Sequence, residues 1–354
     1  MKNFYAEWQA QDAILLAFPH EDSDWNPYLS EVRELYYKII FEILQVESCI
    51  LICKNRVETI SLIKQYSSNN NLNLALLKNL YCIPLNSNDT WARDFGGITI
   101  KKGKKNLVLN YGFNGWGLKF PSNYDNLITQ SLANLGAFKV KTKKIILEGG
   151  SIECNGDGIL LTNTQCLLEK NRNPALSQKK LERILKKDLG VKKVLWLNSG
   201  FLSGDDTDSH IDPLARFVSS DTIVYTHCED INDLHFKALN DLEDEIRALK
   251  NLKNKPFKCI SLPLPSAKFY DNERLPATYA NFLFINGAIL LPIYNDKNDE
   301  IAIKTMQKIC KNHKIIPIDC SILIRQHGSL HCISMQFPKN TINFNALKDF
   351  KSIV

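Results

Sequence analysis

The sequence RQHGSLHC at residues 325–332 ends in a cysteine that follows a His-Gly-Ser turn and a second histidine. A thiolate is a strong nucleophile, and an imidazole can donate or accept a proton near neutral pH. Six of the ten cysteines lie in apolar runs, where a cysteine is usually a small buried residue. Cys332 differs from them because polar residues stand at matching positions elsewhere in the chain.

These matching positions lie directly before segments that are predicted to form β-hairpins or strands. Four such segments carry a polar side chain able to do chemistry: WARDFGG (91–97), LEGG (147–150), DTDSHID (206–212) and HGSLHC (327–332). If the units repeat around a common axis, these segments meet at one end of a central channel. The side chains that would converge there are Asp94, Glu148, His210, Asp212 and Cys332.

Such a set suits the hydrolysis of a guanidinium group. A guanidinium is planar, cationic and a donor at every nitrogen, so the carboxylates of Asp94 and Asp212 could hold its edges. The Cys332 thiolate, kept ionised by a nearby cation, would attack the central carbon, and His210 would protonate the departing ammonia. His210 would then activate water, with Glu148 orienting or sharing the proton.

Each of these residues alone also has an ordinary structural interpretation. Asp94 beside Arg93 could form a surface ion pair, and Glu148 before two glycines could cap a turn. Asp212 could hold its own loop, and a single histidine such as His210 is more often a structural residue than a catalyst. The catalytic interpretation rests on the set as a whole.

The composition is that of an ordinary globular protein, with 44% hydrophobic and 23% charged residues among 354. No apolar stretch approaches the ~20 residues of a membrane span, and no secretion signal is recognised. We therefore expect a cytoplasmic protein with reduced thiols. The net charge is +6, but the lysine clusters at 101–105 and 139–144 favour solvated strand edges over a nucleic-acid surface.

A unit of hairpin followed by helix recurs along the chain. Hairpins are predicted at 151–163, 214–227 and 281–294. Helices are predicted at 28–45, 56–67, 124–136, 176–190, 231–252 and 298–313, and buried strands at 12–19 and 49–54. Since no Pro-rich or Ser-rich linker divides the chain, we expect one α/β domain over residues 1–354.

Eight motifs follow one another through nearly the whole chain: AEWQAQDAILLAFPH (6–20), NDTWARDFGGI (88–98), YGFNGWG (111–117), LEGGSIECNGDGILLT (147–162), NRNP (171–174), DTDSHIDPLARF (206–217), RLPATYANFLFING (274–287) and SLHC (329–332). In order and spacing they resemble the agmatine deiminases. These are relatives of the bacterial peptidylarginine deiminases in the pentein, or guanidino-group-modifying, superfamily.

The resemblance implies a five-bladed α/β propeller of pseudo-symmetric ββαβ repeats with one central active site. It also implies no metal, no cofactor and commonly a homodimer. By motif, Cys332 matches the nucleophile, His210 the acid/base and Glu148 the glutamate of the family. Asp94 and Asp212 match the carboxylates that hold the guanidinium.

The loop before Cys332 departs from the family pattern. Where members typically have a run of glycines and an asparagine, this chain has His327, Gly328 and Ser329. Histidine lacks the conformational freedom of glycine, so we expect His327 to narrow the channel, add a titratable group or alter the substrate preference.

Other functions remain open to the sequence. A non-catalytic binding protein of the same architecture, like the ribosome-associated initiation factors, would fit the fold but would not need the Cys332, His210 and Glu148 set. A metallohydrolase is disfavoured because the seven histidines form no HExxH motif. A papain-like hydrolase has its cysteine before its histidine and at the start of a long helix, which is the reverse of the order here.

Among guanidino substrates the charges favour agmatine, which carries an ammonium and no carboxylate. The product would be N-carbamoylputrescine, an intermediate on the route to putrescine and polyamines. The groups expected to receive the substrate's tail are Asp89, Trp91, Asp205, Asp206 and Asp208. Arginine or peptidyl-arginine is the alternative, and it would be favoured if Arg93 or Arg216 pointed inward to bind a carboxylate.

Overall fold

A computed structural model describes residues 2–352. Within this range the chain forms 19 strands and nine α-helices. The strands are β1 Lys2–Phe4, β2 Gln11–Ala17, β3 Ser48–Cys53, β4 Leu80–Pro84, β5 Ile98–Lys102, β6 Lys105–Gly112, β7 Val140–Ile146, β8 Ile152–Cys154, β9 Ile159–Asn163, β10 Lys193–Leu197, β11 Ala215–Ser219, β12 Thr222–His227, β13 Lys258–Pro263, β14 Lys268–Tyr270, β15 Glu273–Leu275, β16 Leu283–Ile285, β17 Ala288–Ile293, β18 Lys314–Asp319 and β19 Ser334–Pro338.

The helices lie mainly between the second and third strands of the sheets. They are α1 Leu29–Leu44, α2 Arg56–Asn69, α3 Ala92–Phe95, α4 Gly115–Leu118, α5 Asp125–Asn134, α6 Thr164–Leu167, α7 Gln178–Leu189, α8 Phe236–Ala248 and α9 Asp299–Ile309. Within residues 2–352, no helix combines the length and the apolar character needed to cross a membrane.

Five small sheets share one pattern of pairing, and β14 and β15 form a separate hairpin. In each of the five, an antiparallel pair is followed by a parallel neighbour, as in β8, β9 and β10. A helical crossover connects the parallel strands, because such strands cannot be joined by a tight turn. The fifth sheet joins the two ends of the chain, since β19 pairs with β2 beside β3 and β4. The fold is therefore a mixed α/β assembly of repeated units.

The side-chain pattern explains these elements. Every residue of β2 is buried, as are five of the six residues of β3, because both are inner strands covered on their faces. Helix α7 buries Leu181, Leu185 and Leu189 along one side and ends at Gly190, whose φ of 79° terminates the helix in the left-handed region. Helix α1 likewise buries its apolar face.

The predicted hairpins and helices are confirmed, with one notable difference in length. The helix expected at 231–252 begins only at Phe236, as α8, and ends at Ala248. The side chain of Asp233 accepts a hydrogen bond from the backbone N–H of His235 at 2.9 Å, so residues 231–235 form a turn ahead of the helix.

The residues directly before the first strand of each sheet form what we term the lead-in segments. They precede β5, β8, β11, β16 and β19. Four of them are the polar segments singled out in the sequence, and the fifth contains Asn281.

Candidate active site

One cavity receives side chains from four of the five lead-in segments. It has about 820 Å³ of empty space, counting the part open to solvent. Its lining includes Trp91, Asp94, His210, Asp212, Asn281 and Cys332. The convergence expected from the sequence is thus present, although these residues span most of the chain.

The five side chains that were expected to converge, taken together with Asp89 and Trp91, fall into two groups. Six of them line the cavity: Asp89, Trp91, Asp94, His210, Asp212 and Cys332. The seventh, Glu148, is fully buried and lies against His210 instead of facing the cavity. The closest ionic partners of Glu148 are Arg172 and His210, and only His210 of these two lines the cavity.

The Cys332 thiol is partly exposed to the cavity. Its Sγ lies 3.3 Å from Oδ1 of Asn281 and 3.9 Å from Oδ2 of Asp212. Burial, followed by the charges of Asp212 and Asp94, raises the pKa of Cys332 well above that of a free thiol. No lysine or arginine lines the cavity in the described part of the chain, so the cation expected beside the thiolate is not a protein side chain of that kind.

His210 lies between two carboxylates. Its Nδ1 is 3.8 Å from Oδ1 of Asp94, and its Nε2 is 3.4 Å from Oε2 of Glu148. Burial favours the neutral ring, but the charge of Asp94, the neighbouring Cys166 and the hydrogen bond with Glu148 outweigh it and raise the pKa of His210 well above its ordinary value. The neighbouring carboxylates therefore favour the imidazolium form of the ring.

Glu148 is held by Arg172, which the sequence interpretation did not assign to the site. Nε of Arg172 donates to Oε1 and Oε2 of Glu148 at 3.0 and 2.8 Å. Burial opposes ionisation, but the hydrogen bond from His210 and the charge of Arg172 lower the pKa of Glu148. Glu148 is consequently an ionised acceptor that keeps Nε2 of His210 protonated, and it does not cap a turn with its side chain.

Asp94 is buried, so it is not part of a surface ion pair. Its Oδ1 accepts from the backbone N–H of Gly150, and its Oδ2 accepts from Nε1 of Trp116, both at 2.9 Å. A Cβ on Gly150 would lie 2.6 Å from Nδ1 of His210, 2.9 Å from Oδ1 of Asp94 and 3.2 Å from Oδ1 of Asp212. Gly150 therefore allows these three side chains to approach one another.

Asp212 lines the cavity and has one carboxylate oxygen that accepts no hydrogen bond. Its Oδ2 accepts from Nδ1 of His331 at 2.6 Å and from Nδ2 of Asn281 at 3.3 Å. Its Oδ1 is buried and has no hydrogen-bond partner. Burial opposes ionisation, but the hydrogen bond and charge of His331 lower the pKa of Asp212. An ionised oxygen without a partner in a cavity is a binding position for a donor, because leaving it unpaired is costly.

The two arginines that could have bound a carboxylate point elsewhere. Nη2 of Arg216 lies 2.6 Å from Oε2 of Glu7, and its Nε lies 2.9 Å from Oε2 of Glu153. Nη1 of Arg93 donates to Oε1 of Gln336 at 2.7 Å. Neither arginine lines the cavity.

Four further aspartates line the same cavity: Asp24, Asp89, Asp205 and Asp206. Burial, together with the neighbouring Asp24, raises the pKa of Asp89 to about 6, despite a backbone hydrogen bond that lowers it. Burial and Asp205 raise the pKa of Asp206 to about 6. The number of acidic side chains, and not the pKa shifts, gives the cavity its acidic character.

Asp208, which we expected to join this acidic wall, does not line the cavity. It pairs with Nη1 of Arg172 at 2.6 Å and with Nζ of Lys119 at 2.7 Å. The expectation was wrong for this residue because its charge is already neutralised by two cations of the protein.

His327 lines the cavity, as expected for a side chain that narrows the channel. Its φ of 64° lies in the left-handed region, which glycine adopts easily and histidine rarely. Its Nδ1 lies 2.8 Å from the carbonyl oxygen of Gly204, which helps to hold the loop. At the next position a Cβ would lie 2.1 Å from the ring of Trp91, so Gly328 is required there.

Four residues of the site escaped the sequence interpretation as site residues. They are Trp116, Arg172, Asn281 and His331. Asn281 was placed inside the hairpin predicted at 281–294, but the first strand of that hairpin, β16, begins only at Leu283, so Asn281 lies in a lead-in segment like the others. All four residues occur in the quoted motifs, but their partners are distant in sequence.

The chain is similar over nearly its whole length to known proteins. The sequence pattern of the Porphyromonas-type peptidyl-arginine deiminase family matches residues 3–338. A protein of Mycoplasma capricolum that is provisionally named agmatine deiminase is 31% identical over 94% of each chain.

Solved structures are similar over nearly the whole chain. A cysteine-to-serine variant of C. jejuni agmatine deiminase with substrate bound is 39% identical, with a TM-score of 0.86 over 96% of this chain and 97% of that one. A protein provisionally called a peptidyl-arginine deiminase is 46% identical, with a TM-score of 0.89 over 96% of this chain and 99% of that one. With a family match over nearly its entire length, this chain belongs to the Porphyromonas-type peptidyl-arginine deiminase family.

Proposed function

We propose that the protein is an agmatine deiminase, a hydrolase that converts agmatine and water to N-carbamoylputrescine and ammonia. The observation that carries the proposal is the charge of the cavity. Six aspartates line it, together with one thiol and the imidazoles of His210 and His327, and no lysine or arginine of the described residues does so. A dication without a carboxylate is the guanidino substrate that suits such a cavity.

The guanidinium binds between Asp94 and Asp212. A Cβ placed on Gly150 would lie 2.9 Å from Oδ1 of Asp94 and 3.2 Å from Oδ1 of Asp212, so these two oxygens lie close together beside Gly150. The open Oδ1 of Asp212 accepts an N–H of the substrate, and Asp94 accepts another. Two carboxyl groups that accept from a planar donor fix the orientation of the central carbon toward Cys332.

Attack by Cys332 depends on the substrate itself. In the free enzyme the thiol is protonated, because burial and two carboxylates disfavour its anion. A bound guanidinium brings a positive charge beside the sulfur, lowers the pKa of the thiol and allows its proton to leave to solvent. The thiolate then forms a C–S bond to the central carbon.

His210 carries the proton through both halves of the reaction. Its imidazolium protonates one nitrogen of the tetrahedral adduct, the C–N bond breaks, and ammonia leaves a thiouronium on Cys332. The neutral ring then accepts one proton from water, whose oxygen attacks the same carbon. The hydroxyl of this second adduct gives its remaining proton to the departing sulfur, so the C–S bond breaks and the carbonyl of the product and the free thiol are formed. Glu148, fixed by Arg172, keeps Nε2 of the ring protonated, so that Nδ1, on the side of Asp94, exchanges the proton.

The substrate assignment is tested by measuring kcat/KM for agmatine, free arginine and a blocked arginine peptide under identical conditions. We expect agmatine to be preferred by about a hundredfold or more, because an unpaired α-carboxylate among these aspartates costs at least a few kcal/mol. Butylguanidine, which lacks the ammonium, is the matched control. Asp206→Asn should reduce kcat/KM for agmatine more than for butylguanidine. A preference for arginine or the peptide would overturn the substrate and leave the deiminase chemistry standing.

A second test concerns the activation of Cys332. We expect a haloacetamidine, which is cationic and planar like the substrate, to label Cys332 much faster than a neutral haloacetamide does. Cys259 is also partly exposed and serves as an internal reference. Its labelling should show no comparable preference for the cation. Equal labelling of both thiols, measured by peptide mass spectrometry, would argue against substrate-assisted ionisation.

For the architecture we propose a five-bladed propeller within a single domain over residues 1–354. Five sheets with the same pairing pattern, each preceded by a lead-in segment, support the repeat. A buried hydrophobic cluster that includes residues from Ala13 to Leu347 supports a single domain. A homodimer stays a prediction of the family resemblance.

A further inference from the structure

Next to the catalytic histidine lies a second thiol that the proposed mechanism does not use. Cys166 belongs to the short helix α6 and is fully buried. Its Sγ is 3.9 Å from Oε2 of Glu148 and lies within 4.8 Å of a ring nitrogen of His210. Three side chains with metal-binding atoms therefore meet behind the cavity, each from a different segment of the chain.

We propose that Glu148, Cys166 and His210 form a binding site for a thiophilic divalent cation such as Zn²⁺, and that its occupation inhibits the enzyme. The three donor atoms lie within 4.8 Å of one another. In a tetrahedral zinc site with normal bond lengths, the ligand atoms are separated by about 3.3–3.8 Å. Nε2 of His210 and Oε2 of Glu148 already meet this requirement at 3.4 Å, and Sγ of Cys166 requires only a small approach.

The donor set favours zinc over harder cations. A thiolate, an imidazole and one carboxylate are typical zinc ligands, whereas magnesium and calcium prefer oxygen alone. Three protein ligands leave a fourth position for a water molecule. His210 also lines the cavity, so the cluster lies directly behind the cavity wall.

The positive charge of Arg172 beside Glu148 does not prevent binding. A divalent cation replaces two protons, one on the thiol of Cys166 and one on the imidazolium of His210. The total charge of the cluster with Arg172 is then the same before and after exchange. The guanidinium continues to orient Glu148 through Nε, which lies 2.8 Å from Oε2.

The inhibitory effect rests on the catalytic role proposed for His210, whereas the metal binding does not. A metal on Nε2 prevents the ring from carrying two protons, so it cannot alternate between imidazolium and imidazole. The carboxylates of Asp94 and Asp212 remain free to hold the guanidinium. Zn²⁺ should therefore lower kcat and leave KM for agmatine nearly unchanged, with activity restored by a chelator.

Binding is tested without reference to activity by titrating Co²⁺ into the full-length Cys332→Ala protein, which lacks the nucleophile. We expect a thiolate-to-cobalt charge-transfer band that Zn²⁺ displaces. The band should be lost in Cys332→Ala/Cys166→Ser and retained in Cys332→Ala/Cys310→Ser, which makes the same change at another buried cysteine. If the band is absent from Cys332→Ala, or if it persists in Cys332→Ala/Cys166→Ser, the proposed site is wrong.

The kinetic test compares the Zn²⁺ concentration that halves kcat in the wild type, in Cys166→Ser and in Cys310→Ser. Cys166→Ser should raise it at least about tenfold, because one ligand is lost, and Cys310→Ser should leave it unchanged. Circular dichroism and thermal unfolding show whether the variants are folded, and Cys166→Ala provides a second replacement. Unaltered sensitivity in both Cys166 variants would contradict the proposal. Cobalt binding without inhibition would instead overturn the inhibitory effect and with it the role of His210.

Discussion

The Cys332→Ala variant is expected to lose deiminase activity entirely while keeping its fold. The covalent step has no substitute, because no other thiol lines the cavity within the described residues. Loss of a catalytic nucleophile lowers kcat by about 10⁴-fold or more. Ammonia release from agmatine measures the loss, and thermal unfolding should show a change within about 1 kcal/mol.

Two controls separate loss of chemistry from loss of structure. Cys310→Ala removes a buried thiol that does not line the cavity and should leave kcat near that of the wild type. Cys332→Ser keeps a group of similar size but supplies a much weaker nucleophile, so it should bind agmatine without turnover. Substantial activity in Cys332→Ala would remove the covalent mechanism and favour direct attack by water.

The second large effect is expected from the two carboxylates that hold the guanidinium. Asp94→Asn and Asp212→Asn each preserve size and remove a negative charge. Each should lower kcat/KM by about 2–5 kcal/mol in transition-state stabilisation, or roughly thirtyfold to several thousandfold, as is usual for a broken buried charge-assisted contact.

The hydrogen bonds of Asp94 and Asp212 give a further reason for the expected loss of kcat/KM at each position. Both oxygens of Asp94 already accept from donors, Gly150 N–H and Trp116 Nε1–H, so an amide nitrogen would face one of them. At Asp212 the open Oδ1 or the oxygen beside His331 would be replaced by a donor. Haloacetamidine labelling of Cys332 should also slow in both variants, since the clamp positions the cation.

A matched control is Asp188→Asn, which removes a buried carboxylate away from the cavity. Asp188 pairs with Nζ of Lys143 at 2.6 Å. Its replacement should lower stability and leave kcat/KM close to that of the wild type. If Asp94→Asn and Asp212→Asn both retain wild-type kcat/KM, the clamp is wrong, and the guanidinium must be held by other acids of the cavity.

Asn281 and Asp208 are two residues at which sequence and structure differ. Asn281 lies in the lead-in segment before β16, as Asp94, Glu148, His210 and Cys332 lie in theirs. It was placed in the predicted hairpin and was not assigned to the site, although its Oδ1 is 3.3 Å from Sγ of Cys332. Asp208 belongs to the acidic run with Asp205 and Asp206, and the sequence alone does not show which of these aspartates line the cavity. In the structure, Asp208 pairs with Arg172 and Lys119 and does not line it.

Local sequence determined the secondary structure and the lead-in positions. Alternating and helical hydrophobic patterns predict the strands and helices, and the positions of the polar lead-in segments predict which side chains converge. These signals are readable because they depend on residues close together in the chain. The motifs also carried the family to which the chain belongs.

Only the tertiary structure decided the charge states and partners within the site. Glu148 meets Arg172 and His210, and Asp212 meets His331, across long sequence separations. The carboxylates of Asp94 and Glu148 help to raise the pKa of His210 despite its burial, whereas burial and the charges of Asp212 and Asp94 act together to raise the pKa of Cys332. Burial and the approach of distant charges are properties of the folded arrangement, because they depend on three-dimensional distances that no single segment of sequence specifies.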